Sequence, residues 1–180
     1  MMITIPEDRF MKKRTELKMY NILLPIWLLP WIAVPLWLIL IPANFGIDFL
    51  VTFLSLKHQN IPESKETAFR HSWKICLAGF LSDFIGALFL FLMLDVSGSM
   101  HGSFWNHISY GLGMQPFYSF ESFLTVVFSI LISGFCIYAI DFRILKKDPT
   151  LTAEQAKRTA LHLALFSAPY LYLIPSELIY

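Results

Sequence analysis

The lysine and arginine residues of this 180-residue chain occupy only three short stretches of the sequence. Residues 9–18, 57–74 and 143–158 together hold all fourteen of these basic residues. The sequence between the stretches contains no lysine or arginine and is rich in apolar residues. Long apolar runs separated by short basic loops are typical of an integral membrane protein that crosses the bilayer several times.

The overall composition supports this interpretation. Hydrophobic residues make up 56% of the chain, whereas soluble domains contain roughly 45 to 50% apolar residues. Charged residues make up only 15%, against about 25% in soluble domains. The formal net charge is +1, which argues against a nucleic-acid partner because such proteins carry a basic patch or stripe. We therefore expect an all-α fold, a small polytopic bundle of about five membrane-embedded helices.

The positions of the basic residues predict how the chain is oriented. Basic residues in short loops are retained on the cytoplasmic side, so the N-terminus should be cytoplasmic and the membrane is expected to be the plasma membrane. Residues 1–18 are then a basic tail, and 19–180 form a single transmembrane domain. The expected cytoplasmic loops are 57–74 and 141–158, the external loop is 95–119, and the membrane segments are 20–40, 44–56, 75–94, 120–140 and 159–175.

The first hydrophobic run is too long for one crossing. It covers 38 residues, which measure about 57 Å as a helix, while the hydrocarbon core of a bilayer is about 30 Å thick. Since both flanks are basic, the run should leave the cytoplasm and return. Pro42 and Gly46 predict a break between the two halves. The returning half is short, so the alternative to five crossings is four crossings and a re-entrant hairpin.

Acidic residues inside apolar segments are the strongest functional candidates. Asp83 lies nine residues beyond Lys74, hence about 13 Å into the membrane as a helix. An ionisable residue at that depth is a functional hypothesis by default, and broken helices of transporters place ion or substrate contacts at their breaks. The predicted ion or proton pathway consists of Asp83, Asp48, Glu121, Asn44 and Asp141.

Each of these residues also has a structural explanation. Asn44 is equally explained as the cap of the returning helix. Asp48 is equally explained by a pair with a neighbouring side chain, the candidates being His162, Lys57 and Lys74. Asp83 is explained as a polar contact between packed helices, because such contacts are common in membrane bundles.

Small residues recur at helical spacing around Asp83. Ala78, Ser82 and Gly86 are four residues apart, and small residues at this spacing let two helix backbones approach closely. The next span carries a matching ridge of hydroxyl residues that begins at Glu121. The predicted packing face comprises Ala78, Gly79, Ser82, Gly86, Thr125, Ser129 and Ser133.

The basic stretches are expected to contact anionic lipid headgroups, at about 1 kcal/mol for each basic residue near the surface. The residues expected to do so are Lys12, Lys13, Arg14, Lys57, Lys74, Arg143, Lys146 and Lys147. His58 and His71 lie in the second basic stretch, and we expect them to be solvated or at the headgroups.

The sequence contains no motif for a metal, a cofactor or catalysis. His101 and His107 are six residues apart, a gap that fits no known zinc spacing. The sequence lacks a P-loop and a His-Glu-x-x-His pattern. Cys76 and Cys136 are expected to be small packing residues. We therefore expect no metal, no cofactor and no enzyme activity.

Two functional hypotheses follow. The first is an oligomer-forming, membrane-embedded subunit that scaffolds a larger membrane assembly through its basic cytoplasmic loops, with the lipid bilayer and either further copies of the chain or other membrane subunits as partners. The alternative is a small ion or proton channel or transporter that uses the intramembrane carboxylates. The two differ in what they require of Asp83, because only the second needs its ionisable group.

Overall fold

The computed structural model describes residues 25–28, 30 and 34–178, and within them the chain is helical without any β-strand. The predicted all-α class is thus confirmed. The predicted basic tail, with Lys12, Lys13 and Arg14, lies outside the described residues, as does part of the predicted segment 20–40. The α-helices are α1 (Trp37–His58), α2 (Ser64–Ser99), α3 (Ser103–Gly113), α4 (Phe120–Leu145) and α5 (Ala153–Phe166). Short 3-10 helices cover Ile26–Leu28, Val34–Leu36, Pro116–Tyr118, Tyr170–Leu173 and Ser176–Leu178.

Three of the described helices, α1, α2 and α4, are long and apolar enough to cross a membrane, which indicates a membrane protein. Their outer faces carry large apolar side chains, among them Leu38 at 81% and Phe135 at 70% exposure. Such faces suit a hydrocarbon environment, since water would penalise them. α3 has 11 residues and α5 has 14, so neither reaches the length of about 20 residues that a spanning helix needs. A bundle of five spans is not confirmed.

The helices are joined at two opposite ends. At one end, which we call the basic end, residues 59–63 connect α1 to α2 and residues 146–152 connect α4 to α5. Thr159 joins these connections, because its Oγ1 accepts hydrogen bonds from Ser55 Oγ at 3.1 Å and from Gln59 Nε2 at 3.0 Å. The opposite end, which we call the α3 end, carries α3 and the 3-10 helix that follows it.

The loops are shorter than the sequence predicted. The expected loops 57–74 and 141–158 are reduced to 59–63 and 146–152, because all four long elements at the basic end continue as helices past their apolar stretches. The expected external loop 95–119 is mostly helical, since it contains the last turn of α2 and the whole of α3. Hydropathy marks where a helix leaves the apolar layer, whereas hydrogen bonding and caps decide where it ends.

The predicted break at Pro42 and Gly46 was wrong, because α1 runs without interruption through both residues. Pro42 is the sixth residue of α1, so its missing N–H removes a single intrahelical bond. A full break would free several backbone groups, which is more costly in an apolar environment. The irregular backbone lies earlier in the chain, around the 3-10 helices Ile26–Leu28 and Val34–Leu36.

Two apolar clusters hold the bundle together. The cluster at the basic end includes Leu56, Ile75, Ile137 and Leu163. The cluster at the α3 end is built from buried residues of several elements, namely Trp27, Ala87, Leu90, Ile108, Leu112, Val126, Ile130 and Tyr172. Trp27 is tied to this end by a hydrogen bond of 2.9 Å from its Nε1 to the carbonyl oxygen of Leu112. The early 3-10 segment therefore packs at the α3 end.

α2 and α4 pack closely along small residues. Ser129 Oγ donates a hydrogen bond of 2.8 Å to the carbonyl oxygen of Gly86. A Cβ atom at Gly86 would overlap Ser133 Oγ, so only glycine fits this contact. Ala78, Ser82, Gly86, Ser129 and Ser133 are all buried.

Two members of the predicted packing face are placed differently. Gly79 faces α1, because a Cβ atom there would lie 3.8 Å from Asp48 Oδ2. Thr125 is half-buried, and its hydroxyl donates to the carbonyl oxygen of Glu121 in its own helix at 2.8 Å. The contact between α2 and α4 is therefore narrower than the predicted face.

The last part of the chain changes from α-helix to 3-10 helix partway along the bundle. α5 ends at Phe166, and Pro169 follows two residues after the cap, where proline cannot continue the helix. The chain then reaches the α3 end, where the backbone N–H of Ser176 donates to the carbonyl oxygen of Met114 at 2.8 Å. Residues 153–178 thus extend along the bundle from the basic end to the α3 end.

Candidate functional site

A cavity of about 580 Å³ lies between α1, α2 and the chain that follows α5. Most of its wall is apolar or aromatic, with contributions from Trp37, Phe80 and Tyr172. The polar side chains that line it are Asn44 and Asp48 from α1, Asp83 from α2 and Ser167 from the end of α5, together with the aromatic polar tips. None of the described residues that line the cavity is a lysine, an arginine or a histidine.

Asp48 is held at the cavity by α1 and is only 4% exposed. Its Oδ1 accepts a hydrogen bond of 2.7 Å from Ser167 Oγ. Its Oδ2 lies towards Gly79, where the absence of a side chain lets α2 pass close to the carboxyl group. Ser167 is available for this bond because α5 ends there. Asp48 therefore keeps a fixed orientation, with one oxygen bonded and the other beside the cavity wall.

Asp83 reaches the same cavity from α2 and is half-buried. Its Oδ1 is buried and has no hydrogen-bond partner within the described part of the chain. The hydroxyl of Tyr172 donates to the backbone carbonyl of Asp83 at 2.6 Å and leaves the carboxyl group unbonded. Asp48 and Asp83 are close enough to interact electrostatically. Two carboxyl groups from neighbouring helices thus share one cavity.

The structural alternatives for Asn44 and Asp48 do not hold in the structure. Asn44 lies inside the continuous helix α1 and so cannot cap a returning helix. The hydrogen-bond partner of Asp48 is Ser167, which the sequence did not suggest. His162, one of the expected partners, instead has its Nδ1 2.8 Å from Ser55 Oγ. Asn44 lines the cavity one helical turn before Asp48.

Two other members of the predicted pathway lie away from the cavity. Glu121 is in the first turn of α4, with its Oε2 3.9 Å from Nδ1 of His107 in α3. Asp141 is fully buried near the basic end of α4, and neither of its carboxyl oxygens has a hydrogen-bond partner among the described residues. It is within electrostatic range of Asp48. The structure therefore does not join Glu121, Asp83 and Asp141 into one channel.

The basic residues predicted to contact headgroups lie on exposed surface. Lys57 Nζ is 5.8 Å from the ring centre of Phe53, and Lys146 Nζ is 5.7 Å from that of Phe142. Lysine chains that lie along aromatic rings in this way keep their charge near the surface. The other described members are Lys74, Arg143 and Lys147, all exposed.

A polar cluster at the basic end escaped the sequence analysis. His71 is buried, contrary to expectation, and its Nε2 lies 2.6 Å from Asp148 Oδ2. Asp148 Oδ1 accepts from both the backbone N–H and the hydroxyl of Thr150, at 2.8 and 2.6 Å. Burial would raise the pKa of Asp148, but the hydrogen bonds from Thr150 and His71 outweigh it and lower the pKa to about 2. The signal in the sequence is Asp148-Pro149-Thr150, a typical Asx turn.

The described residues contain no group of three or more metal-binding side chains. Comparison with protein-family models, with curated proteins and with solved structures finds no match to this chain.

Proposed function

We propose that this chain is a small membrane transporter or channel that moves protons or cations and uses Asp48 and Asp83 as its binding groups. One observation carries the proposal: two carboxyl groups from neighbouring apolar helices line one cavity that contains no basic side chain among its described residues. Acidic residues within membrane segments are costly, and they commonly mark ion pathways or proton relays.

The energetic argument concerns the missing positive charge. A buried carboxylate without a cation is unfavourable, because burial removes the water that stabilises it. Binding a proton or a cation removes this cost. A pair of carboxyl groups that must be neutralised from outside the protein is suited to reversible binding, whereas an internal lysine would neutralise it permanently.

The end of α5 adds to the negative character of the cavity. Transporters place cation contacts at the ends of interrupted helices, and α5 is interrupted at Ser167, whose hydroxyl also holds Asp48. The C-terminus of a helix carries a partial negative charge. The interruption therefore favours a cation beside Asp48.

The proposal includes an arrangement in the membrane. α1, α2 and α4 cross the bilayer, and α5 with the 3-10 helices after it makes a further crossing, since this segment contacts both ends of the bundle. With the N-terminal segment this makes the five-membered bundle expected from the sequence. The basic end and the N-terminus face the cytoplasm of a plasma membrane, following the retention of basic loops.

The direct test is flux through the purified protein in liposomes. We expect proton or monovalent cation flux with the natural sequence and its loss in Asp83→Asn, which cannot ionise. Asp95→Asn is the matched control, because Asp95 lies on the same helix but is exposed and outside the cavity. Flux that is equal in both variants, or that is absent from a folded natural protein, would contradict transport through this cavity.

The second candidate is the oligomer-forming scaffold subunit. The exposed basic residues at the basic end favour it, because they offer a charged surface to lipid or to another subunit. However, the small residues of α2 and α4 already pack against each other within one chain, so they are not free to join two chains. An unchanged oligomer in Asp83→Asn together with no flux in any variant would favour the scaffold.

A further inference from the structure

We infer that the cavity between α1, α2 and the chain after α5 binds an organic cation with an apolar or aromatic body, such as a hydrophobic amine or quaternary ammonium compound. This inference rests on the proposed function and names the substrate class of the same site. It follows from the charge, the size and the wall of the cavity, taken in turn.

The charge of the site selects a cation. Asp48 is more than nine-tenths buried, and only its Oδ1 is hydrogen-bonded within the described residues. Asp83 Oδ1 is buried without a partner. An anionic ligand would be repelled by both groups, and a neutral apolar ligand would exclude water from them without replacing it. A ligand with one positive charge compensates the site without leaving its polar atoms unpaired.

The size of the site selects an organic ligand over a bare metal ion. The cavity holds about 580 Å³, within the range of roughly 300 to 1,000 Å³ of pockets for drug-sized molecules. Hard metal ions such as Ca²⁺ need 6 to 8 oxygen ligands around them, and the described residues supply no such group. A metal ion would leave most of the volume as water against apolar walls, which is unfavourable.

The aromatic wall offers rings more than polar atoms. Trp27 Nε1 donates to Leu112, Tyr170 donates to the carbonyl of Leu165, and Tyr172 donates to the backbone of Asp83. Their polar tips are thus already bonded. Trp37 and Phe80 stack with ring centres 5.9 Å apart and planes 4° from parallel, and both line the cavity. Aromatic rings attract organic cations and accommodate their apolar bodies.

The cavity also reaches the outer surface of the bundle. Three apolar residues of its wall, Ile47, Phe166 and Leu171, are 47%, 68% and 56% exposed. An exposed apolar rim beside a membrane offers entry to a molecule that partitions into the bilayer, and hydrophobic cations do so at the interface.

The test compares two ligands of the same shape that differ in charge. Benzyltrimethylammonium carries the positive charge, and neopentylbenzene replaces its nitrogen with carbon. We would titrate each into the purified full chain in detergent micelles by calorimetry and subtract the heat measured with micelles alone. The cation should bind at least about tenfold more tightly than the neutral compound, a difference equivalent to about 1.4 kcal/mol.

Two kinds of variant locate the binding. Asp48→Asn and Asp83→Asn should each weaken binding of the cation at least about tenfold, while Asp95→Asn should leave it unchanged. Gly79→Leu keeps both carboxyl groups but places a side chain into the cavity, so it should weaken binding through lost volume. Circular dichroism of every variant checks that the helices are retained, and if one aspartate variant does not fold, the other and Gly79→Leu still decide the result.

The outcomes separate this inference from the proposed function. Equal binding of the charged and the neutral compound would show a groove for acyl chains and overturn the inference. No binding of the cation, alongside flux that depends on Asp83, would also overturn it and leave a pathway for protons or inorganic ions. Cation binding lost in both aspartate variants but without any flux would support the ligand class and contradict transport.

Discussion

At the scale of single residues, two aspartates show how surroundings separate a structural role from a functional one. Asp148 has partners for both of its oxygens, namely His71 and Thr150. Asp83 has a buried oxygen with no partner among the described residues, and it lines a cavity. A carboxylate that is fully hydrogen-bonded holds the fold together, whereas an unpartnered one retains the capacity to bind something else.

The first prediction concerns Asp148. Its pKa in the folded chain is about 2, below the ordinary value of 3.8, so it stabilises the fold at pH values above about 4 by roughly 2 kcal/mol. This stabilisation is lost as the pH falls towards 2. Asp148→Asn should therefore lower the thermal unfolding midpoint at pH 6, followed by circular dichroism, and the difference from the natural protein should shrink between pH 4 and 2.

The matched control for Asp148 is Glu154→Gln, which removes an exposed ion pair. Arg158 and Glu154 have side chains 65% and 62% exposed, so their pair contributes at most about 0.5 kcal/mol. Equal effects of the two substitutions, or a difference for Asp148→Asn that persists unchanged to pH 2, would show that the bonds to His71 and Thr150 do not stabilise the fold.

At the scale of elements, the sequence predicted some contacts well and others badly. The spacing of small residues predicted that α2 and α4 pack together, and Ser129 and Gly86 do meet. The same kind of local pattern failed at Pro42, where a helix-breaking residue lies inside α1. Glycine at a contact reports a close approach that has few alternatives. Proline in an apolar segment is compatible with both a break and a continuous helix, and the surroundings decide between them.

The second prediction concerns Gly86. A Cβ atom there would overlap Ser133 Oγ and lie 3.2 Å from both the carbonyl oxygen and the Oγ of Ser129, so Gly86→Ala should destabilise the bundle by about 1 to 3 kcal/mol. Thermal unfolding in detergent measures this. Combining it with Ser133→Ala should restore part of the stability, because the overlapping atom is then removed.

Gly98→Ala is the control on the same helix. Nothing lies within 4 Å of the Cβ position at Gly98, so alanine should leave stability unchanged or raise it by up to about 1 kcal/mol through helix propensity. If Gly86→Ala and Gly98→Ala changed stability in the same direction, α2 and α4 would not be packed as closely as described.

At the scale of the whole molecule, the two connections between long helices share the basic end, while α3 and the end of the described chain share the opposite end. The apolar clusters lie towards these two ends, and the acidic cavity lies between α1, α2 and the interrupted C-terminal segment. This arrangement makes a definite statement about which residues share a side of the membrane.

The third prediction tests that arrangement. In a background of Cys76→Ala and Cys136→Ala, single cysteines at Glu66, Ser103 and Glu154 should react with a membrane-impermeant thiol reagent from the inside, the outside and the inside of the cell, respectively. All three positions are exposed in the structure. Labelling of Glu66 and Glu154 from opposite sides would rule out a shared basic end, and labelling of all three with reversed sidedness would contradict only the proposed orientation.

The sequence alone determined the class of protein and the candidate residues, because hydropathy, helical spacing and the clustering of basic residues are properties of neighbours along the chain. Only the tertiary structure decided which of the acidic residues meet. Asp48 and Asp83 line one cavity while Glu121 and Asp141 do not, and Asp148 holds His71 from 77 residues away. Such meetings depend on how each helix is rotated about its axis and where it ends, and these are set by packing between residues distant in the chain.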